Sequence, residues 1–285
     1  MLKPPFTYAQ QITKLRDHGC TVSDEAFCEE VLSRVSYYRI SAYFLTYKMK
    51  DGLYAPGTDF NLVYNLYEFD RKLRRLLFSV LEELEIYLRA QLSYYHSHKY
   101  GADGYMDPVN FNFHHDHVEF TGRLNDLING NDKLPFVAHH INNYNSRFPI
   151  WVIMELFTFG MLSYFYSEML TPDQKKVAHT IFKTSVREAK SWLYCCTNLR
   201  NVCAHSRRLY NGVFSVIPAR IPNVPKSAER KIFAAIMAVR GLYPCADKWN
   251  NEFLPAMSSL FEEYKNVVLL KHIGFPNNWE TIMRK

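Results

Sequence analysis

The sequence predicts an all-α fold, because apolar residues recur at helical spacing in nearly every patterned segment. Helix-start signals agree with this pattern, for example the capping box that Ser185 and Glu188 form before an apolar run. Residues 209–217 are the exception, and they predict a short extended excursion or hairpin. The chain has 285 residues, 48% of them hydrophobic and 22% charged, which is a globular composition. We therefore expect a helical bundle without a sheet of consequence.

The first fifty residues predict a small N-terminal helical unit, 1–50. Its three short helices are predicted at residues 8–18, 23–35 and 37–49. Ser23 is the expected cap of the second helix. A turn-rich break with Gly52 and Gly57 follows. We assign residues 51–285 to the main bundle, although the two units could form one continuous domain.

One long amphipathic helix dominates the main bundle, beginning after a cap at Thr58. Apolar residues from Leu62 to Leu92 follow the i, i+3, i+4 pattern of a single buried face. The elements predicted after it are a loop at 101–116, helices at 118–127, 135–144, 151–169 and 171–182, a helix from Ser185 toward His205, the excursion at 209–217, helices at 228–240 and 249–270, and a turn at Trp279.

Charge, cysteine usage and hydropathy narrow the class of protein. A net charge of +6 and a pI near 8.9 permit a polyanionic partner without requiring one. The six cysteines include no C-x-x-C pair, so we expect them to be reduced and buried. The most apolar stretch, Pro149 to Tyr166, contains Glu155 and is too interrupted for a membrane span. No secretory signal is visible, and we expect a cytoplasmic protein without membrane association.

Several enzyme classes lack their signatures in this chain. It contains no Walker A loop, no G-x-G-x-x-G, no H-E-x-x-H and no G-x-S-x-G motif. The string His114-His115-Asp116-His117 is the one metal-like cluster, but consecutive loop residues seldom converge on one ion. We therefore favour a solvated loop there, and we expect no metal and no cofactor.

The segment from Arg200 to His205 carries the residue types that metal-free RNA cleavage needs. An imidazole can move a proton between the 2′-hydroxyl and the leaving 5′-oxygen, while a guanidinium can hold the phosphate. The five-residue step separates the two side chains by about 140° on an ideal helix. One phosphate therefore meets both only if the helix ends near Cys203 or a second subunit completes the site. Cations that stabilise a helix C-terminus are an equal alternative, because this spacing also arises by chance.

A second arginine and histidine, Arg89 and His96, lie seven residues apart on one face of the long helix. They could form a second motif or support the first one. Glu85 precedes Arg89 by one turn, which also fits a surface ion pair.

Two further groups of residues also have two possible interpretations. Tyr38 and Arg39 suit stacking on unpaired RNA, or are adjacent residues divided between core and surface. Lys72, Arg74 and Arg75 form either an RNA-facing stripe or the solvated side of the long helix.

The segment Arg200-Asn201-x-x-Ala204-His205-x-x-Arg208-Leu209-Tyr210-Asn211 resembles the signature of the bacterial Abi-like (AbiD/AbiF-type) abortive-infection proteins, which are similar to the HEPN ribonuclease superfamily. Further pieces resemble the family in the same order: Lys3 to Thr7, Ser36 to Tyr43, Phe69 to Arg74, Glu82 to Arg89, Trp151 to Ser163, and Gly274 to Trp279. The resemblance covers most of the chain, and the order of the pieces makes it specific.

The resemblance implies a HEPN-like bundle that acts as a homodimer, in which facing Arg/His motifs form one cleft for metal-independent RNA cleavage. Arg200 would hold the scissile phosphate, His205 would act as acid or base, and Asn201 would orient backbone or phosphate. Glu85 and Arg89 would support them. The remaining RNA contacts that we expect are Arg207, Arg208, Tyr210, Asn211, Tyr38 and Arg39.

Two other functions stay open at this point. The same bundle could be a non-catalytic sensor that binds RNA or protein, or a purely structural scaffold. A nuclease of this kind would also need a trigger, and an RNA or protein regulator could supply it.

Overall fold

Helices build the part of the chain that the structure describes, residues 4–285 of a computed structural model. Within these residues no strand forms, and extended backbone pairs only at isolated bridges. The helices are α1 (Tyr8–Asp17), α2 (Glu25–Arg34), α3 (Tyr37–Phe44), α4 (Phe60–Tyr100), α5 (His117–Gly130), α6 (Pro135–Asn143), α7 (Ile150–Ile153), α8 (Phe159–Glu168), α9 (Thr171–Thr180), α10 (Val186–Ala204), α11 (Ile232–Leu242), α12 (Ala246–Lys248), α13 (Leu254–Glu263) and α14 (Trp279–Met283). The all-α prediction is confirmed, while Lys3 of the opening motif lies outside the described residues.

The N-terminal helices differ from the prediction at their ends. The Asp24 carboxylate caps α2 in place of Ser23, whose hydroxyl instead donates to Asp59. α3 is shorter than predicted, because the chain turns back after it and forms a bridge between Lys48 and Tyr54. These three helices pack on the main bundle through α3 and α4.

α4 is the central element, with 41 residues. The Asp59 carboxylate caps it by accepting from the Asn61 amide, so the cap is one residue later than the predicted Thr58. Its inner face is buried at nearly every turn, by Val63, Leu66, Phe69, Leu73, Leu77, Leu81, Leu84, Leu88 and Leu92. This face contacts α3, α7, α8, α10, α11 and α13. Each buried leucine contributes about 1.5–3 kcal/mol, and together they fix the position of Glu85 and Arg89.

The helix predicted at 151–169 is interrupted in the structure. α7 passes into a 3-10 turn, Phe157 is extended, and the Thr158 hydroxyl caps α8 by accepting from the Met161 amide. The apolar pattern of the sequence does not indicate this break, because the segments before and after it are both buried. The break leaves the Phe157 carbonyl free of helical bonding, and Arg89 donates a hydrogen bond to it at 2.9 Å.

The excursion predicted at 209–217 lies within a longer connection, residues 205–231, between α10 and α11, and this described segment contains a 3-10 turn but no strand and no hairpin. The predicted helix at 249–270 starts earlier and ends sooner, because α12, a π-helical turn (Trp249–Phe253) and α13 follow one another and stop at Glu263. One continuous cluster of buried side chains joins the N-terminal helices to the rest. The boundary at residue 50 stays a prediction.

Candidate functional site

α10 ends in a Schellman motif that presents His205. The helix stops at Ala204, Ser206 has a left-handed φ of 52°, and the Arg207 amide donates back to the Val202 carbonyl at 2.9 Å. Glycine usually takes the left-handed position, so serine adopts it at a steric cost. His205 is thereby an exposed residue at the very end of the helix, at the C-cap position.

The Glu85 carboxylate lies between two arginines. Arg89 Nη2 donates to Glu85 Oε1 at 2.6 Å, and Arg200 Nε lies 3.6 Å from Glu85 Oε2. The side chains of Glu85, Arg89 and Arg200 are 10%, 19% and 30% exposed. They form a half-buried cluster that joins α4 to α10, rather than an isolated surface ion pair.

The three side chains of this cluster carry a small positive charge. Two guanidinium groups and one carboxylate leave +1, while the exposed Glu82 carboxylate brings the charge of the groove above the cluster to zero. A groove of about 210 Å³ opens over it, the cluster groove, lined by Phe78, Glu82, Glu85, Ile86, Arg89 and Arg200.

His205 lines a different groove, of about 390 Å³, which we call the motif groove. Its lining is formed by Asn198, Asn201, Val202, His205, Arg207, Arg208 and residues 212–216. Asn201 stands between the two grooves, because its Oδ1 accepts from Arg200 Nη1 at 3.4 Å. Within one chain, Arg200 and His205 therefore face separate grooves.

Buried Asp70 on α4 fixes the chain just after the motif. Its carboxylate accepts from the Leu209 amide at 3.0 Å, the Tyr210 amide at 2.7 Å and the Tyr43 hydroxyl at 2.8 Å, and it pairs with Arg74 at 2.5 Å. A buried charge of this kind is tolerated only when it is paired and fully hydrogen-bonded. Three pieces of the family-like pattern thus meet around one carboxylate.

Three arginine contacts hold the same segment from outside. Arg39 Nη1 donates to the Ser206 carbonyl at 2.7 Å, and Arg74 Nη1 donates to the Arg207 carbonyl at 3.2 Å. Arg208 donates to the Ala42 carbonyl on α3. The loop that carries His205 is therefore clamped onto α3 and α4.

The RNA contacts expected after the motif are only partly available. Tyr210 is 2% exposed, and its hydroxyl accepts from the Leu269 amide and shares a hydrogen bond of 2.9 Å with His272 Nδ1, so the expectation that its ring meets RNA is wrong. Asn211 accepts from Lys231 Nζ at the groove's edge. Arg207 is exposed, as are Arg39 and Tyr38, whose ring is 88% exposed.

His96 does not join this site. It is completely buried among Tyr100, Phe111 and Phe165, and although the Gly104 backbone is close, neither ring nitrogen makes a hydrogen bond of good geometry. Burial lowers its pKa to about 4, so the ring is neutral at pH 7. The prediction of a second motif with Arg89 is corrected, because their shared helix face is the one that α4 buries.

A third groove of about 590 Å³, the arginine groove, was not predicted as a unit. Its principal lining is Arg39, Tyr67, Arg71, Arg74, Arg75 and Phe78, and it borders Ala204 and Ser206 on either side of the histidine. Of the predicted basic stripe, Arg74 is buried against Asp70 and Lys72 pairs with Glu263, which leaves Arg75 in the groove. The signal in the sequence was the spacing of residues 71, 75 and 78 on one face of α4.

In the string His114 to His117, the His115 side chain is packed against its neighbours, whereas a solvated loop was predicted. His115 Nδ1 bonds to Glu168 at 2.6 Å, its Nε2 lies 3.1 Å from His117 Nδ1, and its ring stacks on Phe111. Among residues 4–285, no group of three or more His, Cys, Asp or Glu side chains could hold a metal ion. The cysteines are free thiols, all buried except the half-buried Cys245.

Comparison with known proteins gives one clear result. The model of the Abi-like protein family matches residues 30–211, which is more than half of the chain and includes the clamp, the cluster and the Arg/His motif. No curated protein and no solved structure matches it. No helix in the described part of the chain is long and apolar enough to cross a membrane. The chain is a member of the Abi-like protein family.

Proposed function

We propose that this Abi-like protein acts in abortive-infection defence as a metal-independent endoribonuclease of HEPN type that cleaves single-stranded RNA. The 2′-oxygen attacks phosphorus while the bond to the 5′-oxygen breaks, giving a 2′,3′-cyclic phosphate and a 5′-hydroxyl. A base takes the 2′-proton, and an acid returns a proton to the leaving oxygen. The observation that carries the proposal is the exposed His205, held at the end of the helix that also carries Arg200 of the cluster with Glu85 and Arg89.

His205 suits the proton transfer, because an exposed imidazole offers both a nitrogen that can accept a proton and an N–H that can donate one. Arg200 suits the phosphate, because a guanidinium stays charged and offers two donors in a fork. Glu85 orients Arg200, and Arg89 supplies the second positive charge that keeps the cluster cationic. Asn201, between the two grooves, is the proposed orienting residue.

The separation of Arg200 and His205 supports a composite site in a homodimer. A two-fold axis would let Arg200 of one copy approach His205 of the other, since such an interface uses the same patch twice. Ile86 on α4 lines the cluster groove and is 57% exposed, and Tyr194 on α10 is 58% exposed. Exposed apolar side chains at such a position suit a protein contact.

Replacement of His205 by alanine tests the cleavage proposal. We expect RNA cleavage to fall by about 10²–10⁴, the usual contribution of a positioned acid or base. The fold should persist, because the His205 side chain is exposed. The measurement is the rate of product formation on a denaturing gel, with thermal melts of both proteins, and EDTA should leave the wild-type rate unchanged. Equal rates for both folded proteins, or loss of cleavage in EDTA, would refute the proposal.

A non-catalytic RNA-binding sensor is the second candidate. The same separation of Arg200 from His205 favours it, since one chain alone does not bring both groups to one phosphate. Steeply salt-dependent RNA binding without any product would support this function over cleavage.

A further inference from the structure

Among the grooves described above, the arginine groove is the one that the proposed chemistry leaves unused. It borders the motif at Ala204 and Ser206, and it shares Phe78 and Glu82 with the cluster groove. A strand that reached the cluster groove could therefore continue along the arginine groove, since the two share these lining residues.

The groove has an excess of positive charge, since four arginines and one carboxylate, the exposed Glu82, line it. Arg75 is exposed and has no carboxylate partner among the described residues, and Arg39 is exposed with only the Ser206 carbonyl as a partner. Arg71 is already paired with Glu68, and Arg74 with Asp70. Two open guanidinium groups are thus available for phosphates.

An aromatic surface accompanies these charges. Phe78 lines the groove and is 38% exposed. Open guanidinium groups beside an exposed ring are the combination that single-stranded nucleic acid uses, with phosphates on the cations and a base on the ring.

We infer that the arginine groove binds the single-stranded RNA that leads away from the cleavage site, with Arg39 and Arg75 on phosphates and Phe78 stacked on a base. This inference rests on the proposed function for the identity of the ligand. It adds the path of the strand and the residues that determine its affinity.

The test measures binding of a labelled single-stranded RNA at several salt concentrations, in full-length protein that carries His205→Ala so that the RNA stays intact. We expect Arg75→Ala to weaken binding and to reduce the slope of log affinity against log salt by about 0.7, the value for one phosphate contact on a single strand. Phe78→Ala should weaken binding by about tenfold and leave the slope unchanged, since stacking releases no counterion.

Arg187→Ala is the matched control. Arg187 is exposed in the first turn of α10, far along the helix from the motif, and it too lacks a carboxylate partner among the described residues. If Arg75→Ala and Phe78→Ala bind RNA as the Arg187→Ala control does, the inference is overturned. Cleavage by the wild-type protein is measured separately. If Arg75→Ala weakens RNA binding but the wild-type protein gives no product, the inferred RNA path stands and the proposed nuclease activity is refuted. If the wild-type protein cleaves RNA but the variants bind RNA normally, the nuclease activity stands and the inferred path is refuted.

Discussion

At the scale of single residues, Glu85 determines how two arginines are used. Arg89 donates to one of its oxygens at 2.6 Å, and Arg200 Nε lies 3.6 Å from the other, so one carboxylate faces two guanidinium groups and offsets only one of their two charges. The pair of Glu85 and Arg89, four residues apart on α4, can be predicted from the sequence. Arg200 comes from α10, and no spacing within the sequence predicts that it joins this pair.

His96 gives a pH-dependent contribution to stability. Its pKa is about 4 in the fold and about 6.5 in an unfolded chain, so the unfolded state binds the extra proton between these values. The contribution is complete above pH 6.5 and is lost as the pH falls toward 4, by about 3 kcal/mol in all.

We therefore expect His96→Phe to flatten the pH dependence of the free energy of unfolding between pH 4.5 and 6.5. Urea titrations across that range measure it. The control is His98→Phe, the same substitution two residues away on the exposed side of α4. A slope in His96→Phe that equals that of the control would contradict this account.

The misplacement of His96 shows what residue spacing can and cannot tell. The seven-residue step from Arg89 correctly indicates a common helix face. It does not indicate whether that face is buried, and here the ring lies among Tyr100, Phe111 and Phe165 from three parts of the chain. Only the tertiary contacts distinguish a core histidine from a reactive one.

At the scale of elements, α4 acts as a frame for the end of α10. Asp70 accepts two backbone amides from a segment that lies about 140 residues further along the chain. Ordinary helix signals predicted both helices and the capping box of α10. The contact between them, and the break at Thr158 that frees the Phe157 carbonyl for Arg89, depend on packing that a periodic pattern does not encode.

Asp70→Asn tests this frame. Without the carboxylate charge, Arg74 stays buried without a counter-charge, so we expect a loss of about 3–5 kcal/mol in the free energy of unfolding. Tyr43→Phe removes only one hydrogen bond to the same carboxylate and should cost about 1 kcal/mol. Denaturant titrations give both values, and equal costs for the two variants would show that Asp70 does not organise this segment.

At the scale of the whole molecule, three grooves meet around the motif. One holds Arg200, one holds His205, and the arginine groove borders both. The family match spans all the residues that carry this arrangement apart from the far side of the motif groove, residues 212–216. A single chain thus has every proposed catalytic group but not in one place, which is the reason for proposing that two copies act together.

Complementation between two inactive variants is the most direct test of a catalytic site shared between two copies. Arg200→Ala and His205→Ala chains are co-expressed, so that mixed dimers form, and RNA cleavage is compared with that of each variant alone. If each site takes Arg200 from one copy and His205 from the other, a mixed dimer contains one intact site, and the mixture should recover about a quarter of the wild-type rate. A mixture as inactive as either variant alone, with mixed dimers shown to be present, would contradict the composite site.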